Sequence, residues 1–235
     1  MARTCPVKQV GTALPDLRAL PPRPVRPGDE PMRTLASSRR NAVVATVPVR
    51  QTEPMARTHD SLDDTLRDWI AAQHVFFVAT APTATDGHVN VSPKGYDTFR
   101  ILDDSTVAYL DLTGSGVETI AHLQDNARLT IMFCGFEGPP RIVRLFGQGD
   151  VVRPGDDGFD ELLAGFEPVP GIRSIIRCRL DRIQSSCGYS VPFLAFESDR
   201  ETLRDWAERK GPDDLVDYRA EKNATSIDGL AGITP

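Results

Sequence analysis

The sequence predicts an α+β fold that is mainly antiparallel β, closed as a barrel with flanking helices rather than laid out as a doubly wound sheet. Three observations carry this reading. Strand-sized apolar stretches follow one another at short spacing. Turn chemistry such as Asp86-Gly87 and Asp103-Asp104-Ser105 separates them. Few helical segments intervene, whereas a doubly wound sheet alternates strand and helix throughout.

Taken in order, Asp60-Ser61 offers an N-cap, and Leu62, Leu66, Trp69 and Ile70 recur at helical spacing, so a short amphipathic helix is predicted over 61–73. Strands are predicted at 75–80 and 89–92, joined through the Asp86-Gly87 turn that hairpins favour. The run Thr106–Leu112 is the next strand, and Gly114-Ser115-Gly116 opens a helix ending near Asn126. Strands at 128–133 and 141–151 follow, then a helix near 156–166 and a strand at 174–184. Two helical stretches, 199–210 and 212–222, close the pattern.

A chain of 235 residues accommodates one domain and an appendage. Charged residues make up 26% and the net charge is -6, which argues against a general nucleic-acid binder. No apolar run approaches the ~18 residues of a membrane span, and Val75–Ala81 is only strand-sized. Cys5, Cys134, Cys178 and Cys187 show no C-x-x-C spacing, and His59, His74, His88 and His122 no ligand spacing. Neither a metal site nor a secreted disulfide framework is therefore expected, and the expected setting is the cytoplasm.

The first 54 residues differ from the rest. They hold 9 of the 19 prolines, 9 Lys/Arg against 4 Asp/Glu and no aromatic residue, whereas 55–235 carries a net charge of -11. A stretch such as Pro21–Gly28 has too little apolar surface to offset its ordering entropy, so 1–54 reads as a disordered basic extension. No apolar run follows Arg3 as a secretory leader requires, while an Arg-rich, acid-poor transit peptide stays open. Met55-Ala56-Arg57-Thr58 repeats Met1-Ala2-Arg3-Thr4, so translation from Met1 and from Met55 are both compatible with the sequence. The domain itself is taken as 55–235.

Three places carry candidate chemistry. In Asn90–Gly95 a strand ends at Ser92, Pro93 stops the ladder, Lys94 offers a cation and Gly95 permits a sharp turn; the alternative is an ordinary strand end with a solvated lysine. In Leu112–Thr119 a Gly-Ser-Gly turn runs into a helix, presenting free amides and the positive end of the dipole to an anion such as phosphate. It is neither a P-loop nor a dinucleotide fingerprint, and a helix start without ligand is the alternative. Arg141 and Arg144, three apart on one strand, point to opposite faces, so only one of them can line an interior site. Cys187 sits in an irregular break, either near a cofactor or as a buried small hydrophobe.

The order of these pieces resembles the pyridoxamine 5'-phosphate oxidase-like FMN-binding split-barrel superfamily. The carrying segments are Phe76–Ala81, Gly87–Gly95, Asp111–Thr119 and Arg141–Gly147. Ser186–Pro192 and Asn223–Leu230 look like an oxidase-related FMN-binding subgroup of unassigned substrate. The resemblance implies a six-stranded antiparallel split barrel that forms a homodimer with FMN at the interface. It further implies that Ser92, Lys94 and Gly95 line the flavin, that Thr113, Gly114, Ser115, Gly116 and Thr119 hold the phosphate, and that Arg141 or Arg144, with Arg144 favoured, supplies a cation. Glu118 is expected to face away from that phosphate. Apolar residues such as Phe133, Phe136 and Phe146 are expected to need cover at the seam.

Three departures are visible. Gly116-Val117-Glu118 replaces a basic pair, Ile142 stands where a glutamine is expected, and Arg173, Arg177 and Arg179 lie in a plain strand pattern instead of an arginine-rich phosphate motif. They imply a small-molecule substrate other than pyridoxamine phosphate. The activity implied is FMN-dependent oxidoreduction, with hydride transfer at flavin N5 from NAD(P)H or an organic substrate. The alternatives are a reductase using the deazaflavin F420 and a non-catalytic flavin or haem carrier. No catalytic side chain and no nucleic-acid or membrane partner is singled out.

Overall fold

Residues 56–233 are described by the computed structural model, so the basic stretch 1–54 and its two starts lie outside the described residues. The elements in chain order are β1 (Ala56–His59), α1 (Asp64–Ala71), β2 (Phe76–Thr80), β3 (Asn90–Lys94), β4 (Phe99–Ile101), β5 (Thr106–Leu112), α2 (Glu118–Asn126), β6 (Arg128–Cys134), β7 (Ile142–Val152), α3 (Phe159–Leu163), β8 (Ile172–Ser186) and α4 (Thr202–Lys222). Among the described residues there are eight strands rather than six, all in one antiparallel sheet ordered β3-β2-β6-β7-β8-β5-β4, with β1 added beside β8.

The two extra strands have a tertiary cause. β8 runs for 15 residues, and β5 covers one of its edges only from Ile172 to Arg179. Within the uncovered remainder, Ile183–Ser186 pairs with β1, whose Ala-Arg-Thr-His sequence has no apolar alternation of its own. β4 is three residues long and exists through its pairing with β5.

Alternation places the core. On β6 and β7 the buried residues Leu129, Ile131, Phe133, Val143 and Leu145 face one side, and Thr130, Met132, Arg144 and Phe146 face the other. The sheet curls on itself. β2 and β5 are separated along it by three strands, yet the Phe76 and Tyr109 rings lie 5.5 Å apart inside, and Phe76 is 5.2 Å from Phe99 on β4. Between β3 and β4 no ladder forms among the described residues, which leaves the barrel split. A smaller cluster on the other face of β5 and β8 packs Ala108, Leu110 and Ile175 under Phe159 and Phe166.

Helix ends follow local chemistry with two adjustments. The cap of α1 is Asp63, whose carboxylate accepts the Leu66 amide at 2.8 Å, so the helix begins after the expected Asp60-Ser61. Leu62, just ahead of it, is buried without being helical. In α4 the backbone breaks at Gly211, with φ 70° and ψ 172°, between the two stretches that the sequence separates. Pro212 then starts the second half, where its missing N–H costs nothing. None of the helices among the described residues is long and apolar enough to cross a membrane.

Candidate functional site

β3 sets the first wall. Asn90, Ser92 and Lys94 lie opposite Thr80, Val78 and Phe76, all buried, so alternation turns these three side chains to the inner side of the sheet. Ser92 donates to Asn90 Oδ1 at 3.1 Å, and Asn90 Nδ2 donates to Thr119 Oγ1 at 3.1 Å, joining β3 to α2. Lys94 reaches further along: its Nζ stands 5.9 Å from the Tyr109 ring centre and 3.6 Å from Asp111 Oδ1.

Asp111 is the electrostatic hub. It is fully buried on β5, and its Oδ2 accepts Arg173 Nε at 2.7 Å and Ser174 Oγ at 3.3 Å. Burial alone would raise its pKa, but the Arg173 guanidinium and the Lys94 ammonium outweigh that and hold the carboxyl below its ordinary range. Arg173 owes its aim to a bulge. The β5–β8 register passes from Asp111 opposite Ser174 to Leu112 opposite Ile172, which leaves Arg173 as the extra residue. The bulge turns its side chain to the same side as Asp111.

The turn between β5 and α2 is held from behind. The Thr113 amide and hydroxyl both donate to Gly171 O at 2.8 Å. Arg219 on α4 donates to Thr113 Oγ1 at 2.9 Å and to Ile172 O at 3.0 Å. Arg173 Nη1 donates to Gly116 O at 2.9 Å, and Asn223 Nδ2 donates to Gly114 O at 3.0 Å. Ser115 and Gly116 are exposed, and Val117 at the N-cap of α2 provides no side-chain acceptor. The first amides of α2 are therefore free of the capping bond that a Ser or Asp would make. Such an end attracts an anion.

Ser92, Lys94 and Gly95 thus lie on one segment and Thr113, Gly114, Ser115, Gly116 and Thr119 on another, joined by the Asn90–Thr119 bond at the start of β3 and by the Lys94–Asp111 pair at its end. The arginines do not join them within the chain. Arg141 lies with its guanidinium 5.7 Å from the Trp69 ring. Arg144 donates to Ser186 Oγ at 3.2 Å on the outer face, in a hollow shared with Phe77, Val91, Met132 and Phe146. Glu118 also differs from expectation. Its Oε1 accepts the Ile227 amide at 3.3 Å, while Oε2 lies beside Gly116, 2.6 Å from where a Cβ would stand. A carboxylate in the first turn is what the helix dipole favours.

Sequence reading missed Asp111, Arg173, Arg219 and Asn223. One signal was present: Asp111 interrupts the apolar run Val107–Leu112, and a charge there requires a partner. Cys187 is half-buried, while Cys134 and Cys178 are buried, and burial pushes the Cys178 thiol up to about 12. Near Gly95, the residues Trp69, His74, Phe136, Pro139 and Phe196 enclose a mostly apolar cavity of about 540 Å³, with His74 stacked 3.8 Å from Phe196. Among the described residues no cluster of three metal-ligating side chains occurs.

His122 on α2 provides a pH-dependent marker of this site. It is fully buried, with Nδ1 2.9 Å from Thr80 Oγ1 and Nε2 without a partner among the described residues. Burial lowers its pKa below the ordinary value. Between that lowered value and ~6.5 the unfolded chain binds more protons than the folded one, so stability falls as pH drops. The loss is up to about 1.4 kcal/mol per pH unit in that window. Denaturant midpoints from pH 8 to 5 should show His122→Asn with a flatter decline than the parent chain. Parallel curves would overturn the assignment.

Comparison with known proteins finds relatives of the chain. The family described as pyridoxamine 5'-phosphate oxidase matches residues 62–187. The pyridoxamine 5'-phosphate oxidase family protein ustO of Aspergillus flavus is 40% identical over 194 residues, covering 74% of this chain and 77% of that protein. Among solved structures, Group A Streptococcus HupZ shares 23% identity at a TM-score of 0.41, over 52% of this chain and 90% of its own. A putative pyridoxamine 5'-phosphate oxidase from Lactobacillus delbrueckii shares 17% identity at a TM-score of 0.42, over 54% of this chain and 98% of its own. Arg219 and Asn223 lie outside the matched segment 62–187.

Proposed function

The chain belongs to the pyridoxamine 5'-phosphate oxidase family, and from that premise we propose that it is an FMN-dependent oxidoreductase of a small molecule, working in the cytoplasm as a homodimer. The observation that carries the reading is the uncapped start of α2, with its preceding turn tied from behind and Lys94 reaching Asp111 from β3.

Apart from Glu118, whose carboxylate beside Gly116 would have to turn aside to admit an anion, the residues present fit a flavin phosphate. Amides of the Gly114–Gly116 turn, the Ser115 hydroxyl and the α2 dipole would hold the anion. Ser92, Lys94 and Gly95 would line the cofactor, with Asp111 orienting the Lys94 ammonium. When bound, the flavin supplies two-electron transfer at its N5. Thr113 and Thr119 act one step back: Thr113 ties the turn to Gly171, and Thr119 ties α2 to Asn90.

The outer face supports the dimer. Val89 and Val91 are 70% and 60% exposed beside Phe77, Met132 and Phe146, an apolar patch that a two-fold partner would cover. Arg144 on that face is the cation that each protomer would offer to its partner's site. Arg141 stays with Trp69 beside the apolar cavity, which we assign to the organic substrate.

The test uses the full chain titrated with FMN, riboflavin and F420, then exposed to NADH or NADPH. FMN should bind ten- to a hundredfold tighter than riboflavin, as expected for contacts worth roughly 1.5–3 kcal/mol. Ser115→Ala and Lys94→Ala should each weaken FMN binding. Light scattering should report a dimer. Equal binding of FMN and riboflavin would overturn the phosphate site, and preferential F420 binding would replace the cofactor. Flavin that resists reduction by nicotinamide and organic donors would make the protein a carrier.

A further inference from the structure

We propose that Asn223, beyond the family-matched segment, is the positioning residue that presets the Gly114–Gly116 turn for a phosphate, so that the C-terminal hairpin is part of the cofactor site. The inference rests on the reading above and gives the Asn223 tie a specific role there, setting the direction of the turn's amides.

Asn223 is fully buried at the end of α4. Its Nδ2 donates to Gly114 O at 3.0 Å and to Ser115 O at 3.4 Å, and its Oδ1 accepts Arg173 Nη1 at 2.8 Å. The same Nη1 donates to Gly116 O at 2.9 Å. Three consecutive carbonyls are thereby drawn to one side. In a trans peptide the C=O and the following N–H point in opposite directions, so the amides of Ser115, Gly116 and Val117 are turned away from Asn223. Successive amides facing one way form an anion-binding concavity.

The side chain suits the task because it carries a donor and an acceptor together. An Asp of the same shape would set a carboxylate against two carbonyl oxygens. The backbone of Asn223 is fixed as well. Its amide donates to Arg219 O at 2.8 Å, and its carbonyl accepts the Ile233 amide at 2.8 Å. Residues 224–232 fold back through a Thr225–Ala231 bridge and the Gly232 N–Ala224 O bond of 2.9 Å. The far end is clasped to the β2–β3 connection, where Asp228 Oδ1 lies 2.6 Å from His88 Nδ1 and Oδ2 accepts the His88 amide at 2.7 Å.

The experiment compares Asn223→Asp, Asn223→Gln and Arg173→Lys with the parent chain, all full length, by FMN and riboflavin titration and thermal melting. The readout is the ratio of the two affinities, which a purely structural role would leave unchanged. Asn223→Asp should lose roughly tenfold of the FMN preference with riboflavin binding within about twofold, and Asn223→Gln should recover part of it. Should Asn223→Asp fail to fold, Arg173→Lys, which keeps a cation near Asp111 but lacks the forked donor, should show the same phosphate-selective loss. Variants that bind with an unchanged ratio would overturn the role of Asn223 and leave the phosphate site standing. A parent chain with no FMN preference would overturn both.

Discussion

Asp111→Asn should lose about 3–5 kcal/mol of stability, the range for removing one partner of a buried ion pair. The loss has a specific origin. Arg173 is 5% exposed and Asp111 0% exposed, so without the carboxylate a guanidinium remains in the interior with amide and carbonyl partners only. Lys94, 3.6 Å away, loses its counter-charge in the same step. Denaturant unfolding should show a lower midpoint at an unchanged slope, which marks a stability change rather than a change in surface exposed. The acid limb provides a second readout. Because the Asp111 carboxyl is held below its ordinary range, its contribution is present above ~4 and is lost as pH falls through its folded value. Asp111→Asn should lack that portion of the acid transition. A loss under ~1 kcal/mol would show that the ion pair does not stabilise the barrel.

Gly147→Ala should also cost about 3 kcal/mol or more, from backbone crowding rather than charge. Gly147 is buried in β7 at the register shift against β8, where Phe146 faces Arg182 and Gly147 faces Leu180. A Cβ there would overlap the Arg179 carbonyl oxygen and stand 2.8 Å from Cys178 Sγ. Neither neighbour is the free end of a flexible side chain, so relief requires spreading the β7–β8 ladder, which runs from Ile142 to Val152. Gly114→Ala is the control: nothing lies within 4 Å of its Cβ position, and its stability should stay within about 0.5 kcal/mol of the parent. Equal melting temperatures for the two variants would overturn the argument.

Local chemistry made much of the fold legible. The apolar strand-sized runs correspond to β2, β5, β6 and β7, and the Gly114–Gly116 turn does lead into α2. The break at Gly211 falls between the two predicted helical stretches. These features depend on side-chain period and turn preference within a few residues, which the order of residues alone expresses. The opposite facing of Arg141 and Arg144 is legible for the same reason, but which face meets a partner is not.

Only the tertiary structure decided the rest. β1 forms because β8 outlasts β5, a matter of the relative lengths of two strands about 60 residues apart in sequence. Arg173 reads as an ordinary strand residue until one bulge turns it inward, since a single added residue reverses the face of a side chain. Asn223 reaches the turn across 109 residues, and Arg219 reaches Thr113 across 106. The sequence determined where the apolar strands, the turns and the breaks occur, because those follow from local sterics and burial period. The closing of the sheet decided which buried charges and carbonyls meet, because a buried polar group takes whichever partner the packing brings within reach.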